Sequence, residues 1–248
     1  MPYNIIVLIK QIVDIDLLKV DSSTGTPQVQ GLPLRLETLS KNAVEEAIRI
    51  KEKHGGKVTA ICFGTDKSTS AMKEAYAMGV DEGYILTGYT GNNPSLTAEV
   101  ISKKIKDIPH DIIILGNQSA ESYTGMLQGK LSAILDEPLL SDAVKIEVSD
   151  RNASVTMALE NENMVAQAQM PVVISVTQEI NEPRFPPVMQ IMAAGRKKIN
   201  TEAAQGTVKS SVEILSNTAP KSERRKIVFE DPEKGIPEIA RVIKEAMK

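Results

Sequence analysis

The chain has 248 residues, 42% of them hydrophobic and 25% charged, with a formal net charge of −3. That balance belongs to a folded globular protein and excludes collagen-like, disordered and disulfide-framework classes. The slight acidic excess also excludes a broad nucleic-acid-binding face.

Residues Ile5 to Ile9 form a β-branched run about one strand long. No basic segment precedes it and no cleavage pattern follows, so neither a signal peptide nor a membrane span is expected. Ser40 to Lys53 predicts a helix with Val44, Ala47 and Ile48 on its inner face and Glu45, Glu46 and Arg49 outward. Ser40 or Asn42 is the expected cap, and His54-Gly55-Gly56 the stop. Strands follow at Lys57–Phe63, Gly83–Leu86 and Asp111–Gly116, alternating with helices at Ser70–Met78, Leu96–Ile105 and Tyr123–Leu135. Strand–helix alternation with continuous apolar strands predicts an α/β fold, a mostly parallel sheet sandwiched by helices. In such sheets ligands collect beyond the carboxyl ends of the strands, which draws attention to loops 10–15, 63–67 and 116–125.

After Pro138 four strand-like runs, 143–148, 154–159, 164–169 and 172–177, lack intervening helices and read as hairpins. Beyond Thr201 the helical period fades until a last amphipathic helix, Ile236 to Met247, with charged residues at 221–226 before it. Residues 1–200 are therefore expected as the α/β domain and 201–248 as a C-terminal arm that packs on a partner or is disordered.

Single Cys62 excludes an intrachain disulfide, and with two scattered histidines, His54 and His110, no metal site is expected. Both histidines are expected in plain surface roles and Cys62 as a buried small hydrophobe. No Gly-x-Gly-x-x-Gly, Walker-type or Gly-x-Ser-x-Gly motif occurs, and no catalytic group stands out. What remains is Gly116-Asn-Gln-Ser-Ala-Glu-Ser-Tyr-Thr-Gly-Met-Leu127, a polar loop between a strand and a helix expected to begin near Thr124. Open amides at Thr124 and Gly125 suit a phosphate at the positive end of the helix dipole, although a capped loop without a ligand fits the same residues.

Four blocks in order are similar to the electron-transfer flavoprotein β-subunits. They are Asn181-Glu-Pro-Arg-Phe-Pro186 with Ile191-Met192 and Arg196-Lys-Lys-Ile199, then Lys10-Gln-Ile-Val-Asp14, Ala43-Val-Glu-Glu-Ala-Ile-Arg-Ile-Lys-Glu52 and Ala75-Tyr-Ala-Met-Gly-Val-Asp81. The resemblance implies a fold like that of adenine-nucleotide α-hydrolases and a heterodimer with an α-subunit. It also implies an FAD held mainly by that partner, and AMP or a second FAD bound in this chain. Electrons would come from acyl-CoA or other flavin dehydrogenases and leave to a quinone oxidoreductase, with no acid or base supplied here. The chain would be a cytoplasmic electron carrier, inserted in no membrane.

Carried over by position, the nucleotide site comprises Leu8, Glu37, Thr38, Leu39, Ser40, Phe63 and the loop Gly116, Asn117, Gln118, Ser119, Ala120, Glu121, Ser122, Tyr123, Thr124, Gly125, Met126 and Leu127. Four positions depart from the family pattern: Glu37 and Thr38 stand where Asn-Pro is usual, Tyr123 where Asp is, and Gly125 where AMP-type members carry Asn. The small residue at 125 resembles the FAD-binding type and slightly favours FAD. Glu37 would repel a phosphate unless it faced the ribose hydroxyls. The segment Arg184 to Gln190 resembles the loop that grips the dehydrogenase, through Arg184, Phe185, Val188 and Met189, while Arg196, Lys197 and Lys198 could guide acidic partners. A stand-alone adenine-nucleotide binder resembling universal stress proteins shares the broad pattern, but leaves the Asn-Glu-Pro-Arg block and the tail without a use.

Overall fold

The computed structural model describes residues 1–89, 91, 93–206, 214–220 and 227–247. Their contacts group Met1–Lys19 with Val29–Leu215 in one unit, and Val20–Gln28 with Ser216–Lys248 in a second.

In chain order the elements are β1 (Tyr3–Leu8), β2 (Gln11–Val13), β3 (Lys19–Val20), β4 (Pro27–Gln28), β5 (Leu34–Leu36), α1 (Thr38–His54), β6 (Gly56–Gly64), α2 (Thr69–Met78) and β7 (Glu82–Thr87). They continue with α3 (Pro94–Lys106), β8 (Ile112–Gly116), α4 (Leu127–Leu135), β9 (Leu139–Ser149), β10 (Asn152–Ala158), β11 (Asn163–Gln169), β12 (Val172–Val176), α5 (Val188–Ala194), β13 (Asn200–Ala203) and α6 (Pro232–Ala246).

The first unit is built on a nine-stranded sheet in the order β11-β10-β9-β12-β8-β1-β6-β7-β13. All pairings from β9–β12 through β7–β13 are parallel, and only β9–β10 and β10–β11 are antiparallel. The α/β expectation with a mostly parallel sheet is thus met. Alternate residues of the central strands enter two separate cores. Ile5, Val7, Ala60, Cys62, Ile112 and Ile114 pack beneath α1 and α2, whereas Ile6, Leu8, Ile61, Phe63, Ile113 and Leu115 pack beneath α3 and α4. The period of two, buried on both faces, is why these strands read as unbroken apolar runs. Each fully buried Ile or Leu contributes about 1.5–3 kcal/mol, which makes the centre of the sheet the most stable part.

Three sequence expectations need correction. The run 172–177 does not close a hairpin: β12 inserts between β8 and β9, parallel to both, because its five residues are all buried and complete the sheet centre. The helix expected from Tyr123 begins at Leu127, since Tyr123 (φ 48°) and Gly125 (φ 58°) both take left-handed backbone that an α-helix excludes. Glu45 and Glu46, expected outward on α1, are only 3% and 8% exposed, because residues 181–184 fold over them. At the far edge of the sheet β13 pairs with β7 from Asn200 to Ala203.

In the second unit the Ala219 amide donates to the Gly25 carbonyl at 2.8 Å. Asp231 caps α6 through the Glu233 amide, and Phe229 lies against Gly235, where an added Cβ would meet it at 2.9 Å. Ile236, Ile239, Val242 and Ile243 of α6 are exposed, as is Met247 just after it. The expected charge run at 221–226 lies outside the described residues.

Candidate functional site

The strand order reverses around β1, which has β6 on one side and β8 on the other. A crevice opens beyond the carboxyl ends of these three strands, where parallel sheets leave backbone groups unpaired and room for a ligand. Its floor is apolar: Leu8 ends β1, Phe63 nearly ends β6, and Leu115 and Gly116 end β8, with Ile101 of α3 alongside. Tyr89 meets Phe63 edge to face, their ring centroids 5.3 Å apart. Such a floor suits a flat aromatic base, which buries area without demanding paired charges.

The rim is polar and comes mainly from residues 116–128. Gly116 allows this loop to leave the sheet, because an added Cβ would stand 2.7 Å from the Cβ of Leu39 on α1. Asn117 anchors the loop, its amide donating to Val176 O at 3.0 Å and its side chain to Asp142 at 2.8 Å. Ser119 and Ser122 share a hydroxyl–hydroxyl hydrogen bond of 2.8 Å. From Thr124 to Gln128 every residue lines the crevice, and none of these amides has an acceptor among the described residues. No side chain caps α4 either. A row of open amides at a helix N-terminus favours an anion through aligned N–H groups and the helix dipole.

Glu37 resolves its own departure from the family pattern. It is 1% exposed and caps α1: one carboxylate oxygen accepts from the Ser40 amide at 2.7 Å and the Ser40 hydroxyl at 3.1 Å. The other oxygen accepts from the Ala120 amide at 3.4 Å, tying the rim loop to α1. The cap expected from Ser40 or Asn42 is therefore supplied by Glu37.

Of the residues named from sequence, Leu8, Glu37, Ser40, Phe63, Gly116, Asn117, Gln118, Ser119, Ser122, Thr124, Gly125, Met126 and Leu127 line this crevice. Thr38, Leu39, Ala120, Glu121 and Tyr123 do not. Thr38 lies instead in a shallow pocket with Asn42, Asn181 and Glu182, and Tyr123 is largely exposed. Sequence reasoning had Lys10 only as the start of the loop 10–15 and did not name Tyr89, Thr97, Ile101 or Gln128 as lining residues. The strand-end position of Lys10 was the available signal; the α3 residues become neighbours only through packing of that helix on β6.

Around the segment expected to dock a partner, Arg184 turns inward. Its Nε lies 2.8 Å from Glu45 and its Nη1 2.6 Å from Glu52, and it holds Glu52 below the ordinary carboxylate range. Phe185, Val188 and Met189 by contrast are 97%, 72% and 83% exposed. Lys197 is bonded to Val80 O at 2.8 Å and lies over the Tyr76 ring. Burial pushes the Cys62 thiol up to about 11, the state of an inert core residue. His110 is not a plain surface group: its Nδ1 meets Ile108 O at 2.8 Å and its Nε2 meets Glu137 at 2.9 Å, both side chains nearly buried. Among the described residues no helix is long and apolar enough to cross a membrane, and no acidic, His or Cys group is arranged to hold a metal.

A parallel α/β layer with an apolar floor and a rim of open amides at the switch point defines a class of crevice-binding α/β proteins. Within that class the comparison is specific. The family model of the electron transfer flavoprotein domain matches residues 28–206. The β-subunit of Thermoanaerobacterium thermosaccharolyticum electron transfer flavoprotein is 33% identical over 238 residues, 91% of this chain and 92% of its own. That of Syntrophomonas wolfei is 30% identical over 250 residues, covering 100% and 98%. A subunit of the caffeyl-CoA reductase–Etf complex of Acetobacterium woodii, CarD, is 28% identical over 200 residues, covering 79% and 76%. The chain belongs to the electron transfer flavoprotein family, among its β-subunits. This membership takes the place of the stand-alone nucleotide-binding alternative.

Proposed function

We propose that this chain pairs with an α-subunit to form an electron carrier that is reduced by flavin dehydrogenases, acyl-CoA dehydrogenases among them, and reoxidised by a quinone oxidoreductase. The flavin shared with the α-subunit supplies the one- and two-electron chemistry. The residues described here bind, orient and dock. In the crevice of this chain we place an adenine nucleotide, AMP or the adenosine half of a second FAD, with Gly125 leaning toward FAD.

The observation that carries the nucleotide reading is the row of open amides from Thr124 to Gln128 above the apolar floor of Leu8, Phe63 and Leu115. An added Cβ at Gly125 would find only Asn117 O, at 3.8 Å, so space for a phosphate and its continuation remains. The exposed Phe185, Val188 and Met189 support the docking role: three large apolar groups beside Pro186 and Pro187 lose little entropy on binding.

Co-expression with the α-subunit, followed by denaturation of the purified complex and quantification of released FAD and AMP, tests this reading. One FAD with one AMP per heterodimer makes the complex a simple carrier. Two FAD without AMP place a second flavin in this chain and open the question of two divergent acceptors. A complex holding no nucleotide beyond the shared FAD removes the role proposed for the crevice.

A further inference from the structure

We propose that Met189 and Met192 are a modification site on the docking helix, where hydrogen peroxide converts their thioethers to sulfoxides, turns an apolar face polar and uncouples the carrier from its dehydrogenase. The inference rests on the docking reading above and concerns how that surface is regulated.

The methionines divide sharply by exposure. Met72, Met78, Met157 and Met170 are buried in the core, where the thioether packs against apolar neighbours out of reach of a dissolved oxidant. Met189 and Met192 are exposed and share one helix, α5. The other exposed methionines, Met1, Met126, Met164 and Met247, each stand on a different segment. Cys62, the single cysteine, is buried, so the chain presents no accessible thiol that would react first. Oxidant chemistry at sulfur therefore falls to the thioethers, and it is concentrated on α5.

Met192 follows Met189 by three positions and Val188 by four, so the three side chains are neighbours on one helical face. The helix is held in place from beneath and behind. Ala194 is buried in the core, and the Gln190 and Ile191 amides donate to Pro187 O at 2.9 and 3.1 Å. A carrier that alternates between donor and acceptor returns this face to solvent after every encounter. There a thioether lone pair attacks one oxygen of hydrogen peroxide, and the O–O bond breaks as the S–O bond forms. The departing hydroxide takes the proton of the transferred oxygen and leaves as water. Sulfur loses two electrons and the peroxide gains them, so no other reactant is needed. The sulfoxide oxygen is a hydrogen-bond acceptor, and burying it against an apolar partner surface without a donor is far less favourable than burying the thioether.

The purified heterodimer is treated with hydrogen peroxide, cleared with catalase, and mapped for added oxygen by peptide mass spectrometry. Stopped-flow reduction by its dehydrogenase is compared with the untreated sample of the same protein, so a basal change caused by a substitution cancels. Sulfoxides are expected at Met189 and Met192 and not at the buried Met72 and Met78. Treatment should lower kcat/KM about tenfold with FAD content and circular dichroism unchanged, and methionine sulfoxide reductases of both epimer classes should restore it. The double variant Met189→Leu with Met192→Leu, which keeps apolar volume but has no thioether there, should lose no more than about twofold on treatment. Three results overturn the inference: no oxidation at these two sites, full reduction rates with both oxidised, or an equal treatment loss in the double variant. If Val188→Asp slows reduction while the oxidised protein does not, the inference fails and the docking reading stands. Full rates in both overturn the two together.

Discussion

Arg184 grips Glu45 in a side-on pair, with Nε 2.8 Å from Oε2 and Nη2 3.2 Å from Oε1, while its own amide donates to the same carboxylate at 3.1 Å. The carboxylate is 3% exposed. Burial by itself pushes the Glu45 carboxyl up, but hydrogen bonds from Arg184 and Arg49 outweigh it and hold the group below its ordinary value. Asn42 and Asn181 add reciprocal bonds beside it, Asn42 Nδ2 to Asn181 O at 2.8 Å and Asn181 Nδ2 to Asn42 O at 3.1 Å. The exposed group of Phe185, Val188 and Met189 therefore rises from a segment fastened to α1.

Arg184→Gln leaves Glu45 buried with Arg49 as its remaining cation. The expected loss is about 2–3 kcal/mol, smaller than for a buried charge with no partner left. For a chain of this size that lowers the melting temperature by about 5–10 °C. Arg184→Lys recovers only part of it, because an ammonium lacks the fork that spans Glu45 and Glu52. Thermal unfolding measures the loss, and faster amide exchange at 181–194 locates it.

Val188→Asp and Phe185→Asp act on the docking face alone. Neither side chain is buried, so stability should stay within about 0.5 kcal/mol of the wild type. Reduction of the complex by its dehydrogenase should fall about tenfold or more in kcat/KM with FAD content unchanged, the signature of a lost apolar anchor. A stopped-flow assay showing full reduction rates in both variants would remove this face from the docking surface.

Gly125 sits at φ 58°, where a β-branched residue costs about 1–2 kcal/mol of backbone strain. Gly125→Val should shift the rim loop and strip most of the crevice nucleotide from the purified complex, with the fold intact by circular dichroism. Gly125→Asn, a residue that tolerates left-handed backbone, should retain nucleotide. Equal nucleotide loss in both variants would argue against a conformational cause.

His110 carries a pH dependence with a definite sign. Burial pulls its pKa down, yet the Glu137 hydrogen bond and the Ile108 carbonyl outweigh this and leave it above the ordinary 6.5. A raised folded-state pKa means that stabilisation is complete below about 6.5 and lost as pH rises through the folded-state value. Glu137→Gln should therefore lower the melting temperature by about 3–6 °C at pH 6, the worth of one charged hydrogen bond, and by much less at pH 9. Equal losses at both pH values would show that the imidazolium form is not the stabilising one.

Most of the central sheet was legible because its strands are buried on both faces and its helices obey simple stop signals. β1, β6 and β8 fall within a residue or two of their apolar runs, and Gly55 and Gly79 end α1 and α2 as expected. The crevice was legible in outline for a related reason: strand ends in a parallel sheet are functional ground whatever their sequence. The side of α1 carrying Glu45 and Glu46 was misread because periodicity counts charge as outward, whereas Arg184 and Asn181, distant in sequence, join Arg49 in making burial tolerable. The start of α4 was misread because propensity does not register two left-handed residues at 123 and 125.

By itself, then, the amino-acid sequence determined the alternation of strands and helices, the apolar faces, and through motif resemblance the family. Those features are local, or survive as short ordered blocks. The insertion of β12 between β8 and β9, the engagement of Glu37 by Ala120, and the meeting of Lys10 with Ser119 and Glu121 were decided by tertiary structure alone. Each joins residues dozens of positions apart, and a hydrogen bond or ion pair between distant groups exists only once the sheet has brought their backbones within reach.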